Sequence, residues 1–204
     1  GTTVTGGSGN DSVTLSGGNN NVTSGNGGDT INLGSGNDTV NTGSGDDNVV
    51  ASAGTNNITT GSNDDQITIS GGSNTVNTGN NNDVINISNG NNNINSGSGS
   101  DQITVSGGTN TIVTGNNNDT VNASGGNNDI DTDAGNDQVV LAVTTGNEKL
   151  GTTDQPLAIF LPGLGAKRRH ITASIRFGDV HAPPSLSAQN VRNGPCKAGL
   201  GDFK

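Results

Sequence analysis

The sequence predicts an all-β fold: a right-handed parallel β-roll, or β-solenoid, with two nine-residue units per coil and a short C-terminal β-rich cap or irregular tail. Three observations predict it. A period of nine runs from Gly6 to Val140 without an insertion, giving fifteen units. The eighth place of every unit is Val or Ile. The places between are filled by Gly, Ser, Asn and Thr, a turn-forming set that would destroy a helix.

Composition alone points elsewhere. Hydrophobic residues make up 26% of the 204 and aromatic residues 1%. So little apolar surface reads as disorder, because burial cannot offset chain entropy. Periodicity overrides that reading, since stacked repeats share one thin core along their length.

Each unit divides into a Gly/Asn turn and a short strand around its β-branched residue. The resulting ladder runs Val13, Val22, Ile31, Val40, Val49, Ile58, Ile67, Val76, Ile85, Ile94, Ile103, Ile112, Val121, Ile130, Val139. A second period of eighteen lies on top. Counting residues 6–14 as unit 1, the residue after each odd unit is apolar, as at Leu15, Leu33, Ile69 and Ile87; after even units it is small and polar, as at Ser24, Thr42, Thr60 and Thr78. One sheet therefore carries two inward apolar residues per strand and the other carries one. At a strand spacing of about 4.8 Å, seven and a half coils make a rod roughly 36 Å long.

The acids follow the same double period. The sixth place of odd units is Asp11, Asp29, Asp47, Asp65, Asp83, Asp101, Asp119 and Asp137; even units use Asn20, Asn56, Asn74, Asn92, Asn110 and Asn128, with Asp38 the exception. One edge of the roll thus stacks eight carboxylates. Unit charges about 4.8 Å apart repel by close to 1 kcal/mol per pair even in water. No Lys or Arg precedes Lys149, so no side chain neutralises the stack. A hard divalent cation between successive turns would. Ca²⁺ takes six to eight oxygens, carboxylate and carbonyl alike, and glycine-rich turns expose carbonyls at positive φ. Asn tolerates the same conformation, which suits "TGNNND" at 78–83 and 114–119. Residues 1–148 hold fifteen acids and no bases. Seven Ca²⁺ in the seven gaps would bring that charge to roughly −1.

Units such as "GGSGNDSVT" (6–14) and "LGSGNDTVN" (33–41) resemble the nonapeptide repeat of RTX (repeats-in-toxin) proteins, G-G-x-G-x-D-x-U-x. The resemblance covers about two thirds of the chain. It implies a calcium-binding turn from the first six residues, a short strand from the last three, a parallel β-roll, secretion, and folding on meeting extracellular calcium. It makes the eight sixth-place aspartates of the odd units the metal ligands. The departures are specific. Among Asp-ending odd units the first-place Gly survives only at Gly6; Asn63, Asn81 and Asn117 replace the fourth-place Gly, and Asp133 the second. Most even turns carry Asn where the family has Asp, so calcium is expected along one edge, with an asparagine ladder on the other.

Residues 149–204 are a different material. They hold all eight Lys/Arg, all five Pro, all three Phe, both His and the only Cys. With three Asp their net charge is about +5. The apolar run "PLAIFLPG" (156–163) and the alternating "HITASIRFGDV" (170–180) predict a half-buried strand and a cap on the open end of the roll, with assembly or an unrelated appendage as alternatives. "KRRH" (167–170) reads as a solvated basic turn, and nucleic acid is not expected. "PGLGAK" (162–167) lacks phosphate-loop spacing. His170 and His181 have no cluster to join, and Cys196 has no partner for an internal disulfide. The pairs Asp46–Asp47 and Asp64–Asp65 fall inside repeat turns with nothing convergent around them, so no enzymatic activity is assigned. No signal segment or membrane span is legible. The chain opens at "GTTVT", in mid-repeat, as expected of a piece of a longer chain or a processed form.

Two units (1–148, repeat roll; 149–204, basic cap or tail) and one leading function emerge: a calcium-binding structural or adhesive module of a secreted or surface protein, located outside the cell, with end-to-end self-association as a further partner. The alternatives are an ice-binding solenoid, a non-catalytic secretion or folding appendage of an extracellular enzyme, and a self-assembling filament subunit. An ice-binding face needs a uniform outward ladder, and the ninth places of the odd units are mixed: Thr14, Asn32, Val50, Thr68, Asn86, Thr104, Asn122, Val140.

Overall fold

The computed structural model describes residues 1–142, 148–152, 158–160 and 171–175. Among these residues there is no helix; the regular structure is two parallel sheets whose strands alternate along the chain. The ten-stranded sheet comprises β1 (Thr3–Thr5), β3 (Asn21–Asn26), β5 (Thr39–Ser44), β7 (Asn57–Ser62), β9 (Thr75–Asn80), β11 (Asn93–Ser98), β13 (Thr109–Val113), β15 (Asn127–Asp131), β17 (Glu148–Thr152) and β19 (Ile171–Ile175). The nine-stranded sheet comprises β2 (Ser12–Gly17), β4 (Thr30–Ser35), β6 (Asn48–Ala53), β8 (Gln66–Ile69), β10 (Val84–Ser88), β12 (Gln102–Ser106), β14 (Thr120–Ser124), β16 (Gln138–Ala142) and β18 (Ala158–Phe160). This is the β-solenoid that the period of nine predicts, one strand of each sheet per coil.

Register is fixed by the repeat. Ile85 lies opposite Ile67 on one side and Ile103 on the other, and Ile58 lies opposite Val40 and Val76. Because side chains alternate faces with period two, a slip of one residue would turn the whole ladder outward. The two sheets differ as the period of eighteen requires. In β8 and β10 both inward places are apolar, Ile67 with Ile69 and Ile85 with Ile87. In β5 and β9 the inward pairs are Val40 with Thr42 and Val76 with Thr78. The Val/Ile ladder from Val22 to Val139 is 0–1% exposed and forms a single cluster with Leu33, Ile69, Ile87 and Leu141. Burying each such side chain contributes roughly 1.5–3 kcal/mol. The core is only two side chains thick, so it has no depth in which to hide an error.

The turns stack as tightly as the strands. Gly43 sits directly on Gly25, and a Cβ there would collide with the Gly25 carbonyl; its φ of +97° also excludes most L-residues. The departures from glycine keep the conformation: Asn63, Asn81 and Asn117 have φ of 84°, 75° and 81°, and Asp133 has 49°. Asn and Asp are the residues whose short polar side chains tolerate this region.

Strand pairing continues past the last complete nonapeptide unit. β17 crosses the position where the composition changes and pairs with β15 at a separation of twenty, Asn128 opposite Glu148. β18 pairs with β16, Val139 opposite Ile159, and β19 pairs with β17. Strands therefore form within both segments expected to be β-rich. The basic turn, the glycine turn, His170, His181 and Cys196 lie outside the described residues.

Two outcomes follow. Ile85→Asp places a charge among Ile67, Ile103 and the facing ladder, at a cost on the order of 5 kcal/mol. The variant should show no β signal by circular dichroism at any calcium concentration that orders the wild type. Deleting residues 149–204 strips β18 from Val139 and most of β17 from Ile130; the shortened chain should melt at lower temperature or associate through its bared edges, as read by calorimetry and light scattering.

Candidate metal centre

The sixth place ends each turn just before its strand, so all eight expected aspartates fall in one column along one edge. Each backbone N–H in the column donates to the carboxylate one coil on: Asp11 to Asp29, Asp29 to Asp47, and so on to Asp119 and Asp137, at 2.7–2.9 Å to Oδ1. The column is not on the surface. Asp11, in the first full coil, is half-buried, and the seven that follow are 1–3% exposed.

The second carboxylate oxygen faces inward. Oδ2 of Asp29, Asp47, Asp65, Asp83, Asp101 and Asp119 is buried and accepts no hydrogen bond. Beside it lies the first-place hydroxyl of the same unit, Thr42 beside Asp47 and Thr78 beside Asp83. That hydroxyl has one proton and two claimants. The other claimant is the carbonyl of the next coil, Thr60 O at 3.4 Å from Thr42 Oγ1 and Ser96 O at 3.1 Å from Thr78 Oγ1. Burial therefore pushes the carboxylates up, and it is the largest cause throughout: Asp65 and Asp119 to about 6, Asp83 to about 7, with Asp47 and Asp101 raised as well. The neighbouring carboxylates push Asp65, Asp83 and Asp119 further up. The hydroxyls and the backbone N–H groups pull back.

The opposite edge solves the same packing with amides. Asn74 Nδ2 donates to Asn92 Oδ1 at 2.8 Å, Asn92 to Asn110 at 2.8 Å and Asn110 to Asn128 at 2.8 Å. The same Nδ2 groups reach turn carbonyls, as Asn110 reaches Gly107 O at 3.0 Å. Each amide thus supplies donors where a carboxylate supplies none. The expected asparagine ladder is present, and Asp38 interrupts it: Asn20 donates to its Oδ1 at 2.9 Å, while its Oδ2 is buried without a donor.

Fifth-place acids have a separate role. Asp46 Oδ1 accepts the Asp64 N–H at 3.2 Å, and Asp64 Oδ1 accepts the Asn82 N–H at 2.9 Å, both at the surface. Asn82 and Asn118 do the same for Ser100 and Asn136, so an amide serves there equally. One rung escaped the sequence reading. Glu148, 3% exposed, accepts the Asn128 N–H through Oε2 at 3.2 Å and so follows the Asn column. It is the only Glu in the chain, and it stands twenty rather than eighteen residues on, outside the period that would have revealed it. Burial raises its carboxyl, and Asn128 lowers it.

The donor set fits a hard cation. Apart from the Thr132 hydroxyl, the buried oxygens left without a partner are carboxylate, and the surrounding polar atoms are hydroxyl and carbonyl oxygens, with no nitrogen or sulfur ligand in the column. Among the described residues no three carboxylate, imidazole or thiol groups converge on one point, so any ion here draws on hydroxyls or carbonyls besides its aspartates. The ion pair of Lys149 with Asp129, 2.7 Å and exposed, stands apart from the column. Among the described residues no helix is long and apolar enough to cross a membrane.

Compared with known proteins, residues 2–31, 32–67, 41–76, 68–103 and 104–139 match the family model of the RTX calcium-binding nonapeptide repeat. No curated protein and no solved structure matches the chain.

Without metal, the raised carboxyls tie stability to pH. Asp65, Asp83 and Asp119 bind a proton more tightly in the roll than in the unfolded chain, where the ordinary value is 3.8. Their stabilising contribution is complete below about pH 4 and is lost as pH rises through 6 to 7. In chelator, the β signal should therefore be stronger at pH 4 than at pH 8, with the loss spread between about pH 4 and 7. A flat profile in that window would contradict the burial described here.

Proposed function

Because the chain belongs to the family of RTX calcium-binding nonapeptide-repeat proteins, we propose that it is a calcium-ordered structural or adhesive module of a secreted or surface protein. The observation that carries this reading is the column of buried aspartates whose inward oxygens accept no hydrogen bond, in a repeat region whose first 148 residues contain no Lys or Arg. The residues that would hold the ions are Asp11, Asp29, Asp47, Asp65, Asp83, Asp101, Asp119 and Asp137, one gap between each successive pair. Ca²⁺, when bound, supplies positive charge and accepts oxygen lone pairs that nothing else in the column can take.

The chain's own residues prepare that edge. Backbone N–H groups fix each Oδ1, so the carboxylate plane is set before any ion arrives. The stacked glycines hold the turn close to its neighbour. The asparagine edge needs no ion and keeps the coils in register. Order that depends on calcium suits a protein that stays open inside the cell and closes outside, where modules of this kind bind in the range of about 10⁻⁴–10⁻³ M. The roll itself is read as non-catalytic. The depression lined by Thr75, Val76, Asn77, Asn93 and Asn95, about 230 Å³ on the outer face of the ten-stranded sheet, contains no titratable group. Residues 149–204 are read as a basic cap, of which the described strands β17, β18 and β19 extend the two sheets.

A calorimetric calcium titration of the full chain, followed in parallel by circular dichroism, tests this. Saturation should come near seven ions with a gain of β signal. Asp47→Asn should weaken binding and lower stability at fixed calcium, because it removes an inward oxygen. Asp46→Asn should change neither, because its Oδ1 survives the substitution. Equal losses at the two positions, or saturation near fifteen ions, would contradict a one-edged column.

A further inference from the structure

The first place of the Asp-ending units departs most from the family pattern. Where that pattern has Gly, this chain has Ser24, Thr42, Thr60, Thr78, Ser96, Thr114 and Thr132, each 0% exposed. A solvent-free column of hydroxyls is costly unless every member is satisfied. Most are: Thr78 donates to Ser96 O at 3.1 Å, Ser96 to Thr114 O at 3.1 Å and Thr114 to Thr132 O at 3.3 Å. The series stops at Thr132, whose Oγ1 is buried and makes no hydrogen bond.

The hydroxyl column and the carboxylate column occupy one space. At Gly6 the space a Cβ would fill is taken by Asp11 Oδ2, so in that unit the first place and the sixth-place carboxylate are immediate neighbours. In the next coils that side chain is a hydroxyl. Its one proton cannot serve both the carbonyl of the next coil and the carboxylate of its own unit, so lone pairs are left over among these oxygens. Each coil thus holds two kinds of oxygen with unspent lone pairs, shut away from water. With no three charged ligands converging, a cation that takes six to eight oxygens needs neutral ones nearby.

We propose that the first-place hydroxyl oxygens of Thr42, Thr60, Thr78, Ser96 and Thr114 are cation ligands alongside the Oδ2 atoms of Asp47, Asp65, Asp83, Asp101 and Asp119. The inference rests on the calcium reading above and deepens it: the oxygen that replaces the family's glycine belongs to the site rather than to the filling of the core. A neutral oxygen adds to the coordination number without adding to the repulsion down the column.

The test compares wild type with Thr78→Val, Thr78→Ser and Ser96→Ala as full-length chains. Bound calcium is counted by equilibrium dialysis at concentrations where circular dichroism shows each protein folded. Thr78→Val and Ser96→Ala should each bind one ion fewer, or bind at that rung with affinity reduced by about tenfold or more. Thr78→Ser, which keeps the oxygen, should bind as wild type does. If Thr78→Val does not fold, Ser96→Ala decides, since it removes a single oxygen and keeps the Cβ. Wild-type ion counts and affinities in the oxygen-free variants would overturn the proposal and leave the calcium reading intact. Absence of calcium binding by the wild type would overturn both.

Discussion

In a parallel solenoid with a fixed coil length, every side chain lies against its own equivalent one coil away. The constraint acts on each place of the repeat separately. An apolar place becomes a continuous apolar ladder, as from Val22 to Ile130 in the ten-stranded sheet. A glycine place becomes a column of glycines stacked so closely that a Cβ inside it would meet the next carbonyl, as at Gly25 and Gly43. An acidic place has no choice but to become a column of acids. Attraction between equivalents is harmless for Ile and Asn, and the same geometry turns against Asp.

The two edges show how chemistry decides between these outcomes. Asn carries an acceptor and a donor on one planar group, so a stack of amides satisfies itself: Asn92 accepts from Asn74 and donates to Asn110. Asp carries two acceptors. The backbone satisfies one of them, as the Asp65 N–H does for Asp83 Oδ1 at 2.8 Å, and the other remains. Burial converts that deficit into raised carboxyls, up to about 7 at Asp83. A proton or a cation can remove it, and only the cation does so at neutral pH without giving up the charge. Asp38 places the same deficit once on the neutral edge, flanked by Asn20 and Asn56, where a single acid has no charged equivalent above or below it.

The end of the repeat obeys the same rule with different residues. Glu148 accepts from Asn128 as an amide would have, and the longer side chain accompanies a coil two residues longer. Beyond it the strand pairing persists, through β18 on Val139 and β19 on β17, after the nonapeptide pattern has gone. Pairing of parallel strands needs backbone groups in register, and not a particular sequence, so a chain of quite different composition can extend both sheets.

The sequence by itself determined the repeat length, the strand register, the inward ladder and the assignment of Asp and Asn to opposite edges. Each of these is a periodic property, and stacking at a fixed rise carries a period in sequence directly into a line in space. It also made Asn63, Asn81 and Asn117 legible as stand-ins for glycine, because few other residues take their positive φ. What only the tertiary structure decided is depth. From the sequence the aspartates form a repelling stack at the turns, a cost that can be counted in water but whose burial the period does not show. Folding sets them 1–3% exposed behind the fifth-place ladder, with Thr and Ser hydroxyls at their inner side. Period does not report depth, because depth depends on how two turns close over each other. It likewise does not report Glu148, whose place in the column is fixed by strand pairing across a coil of altered length.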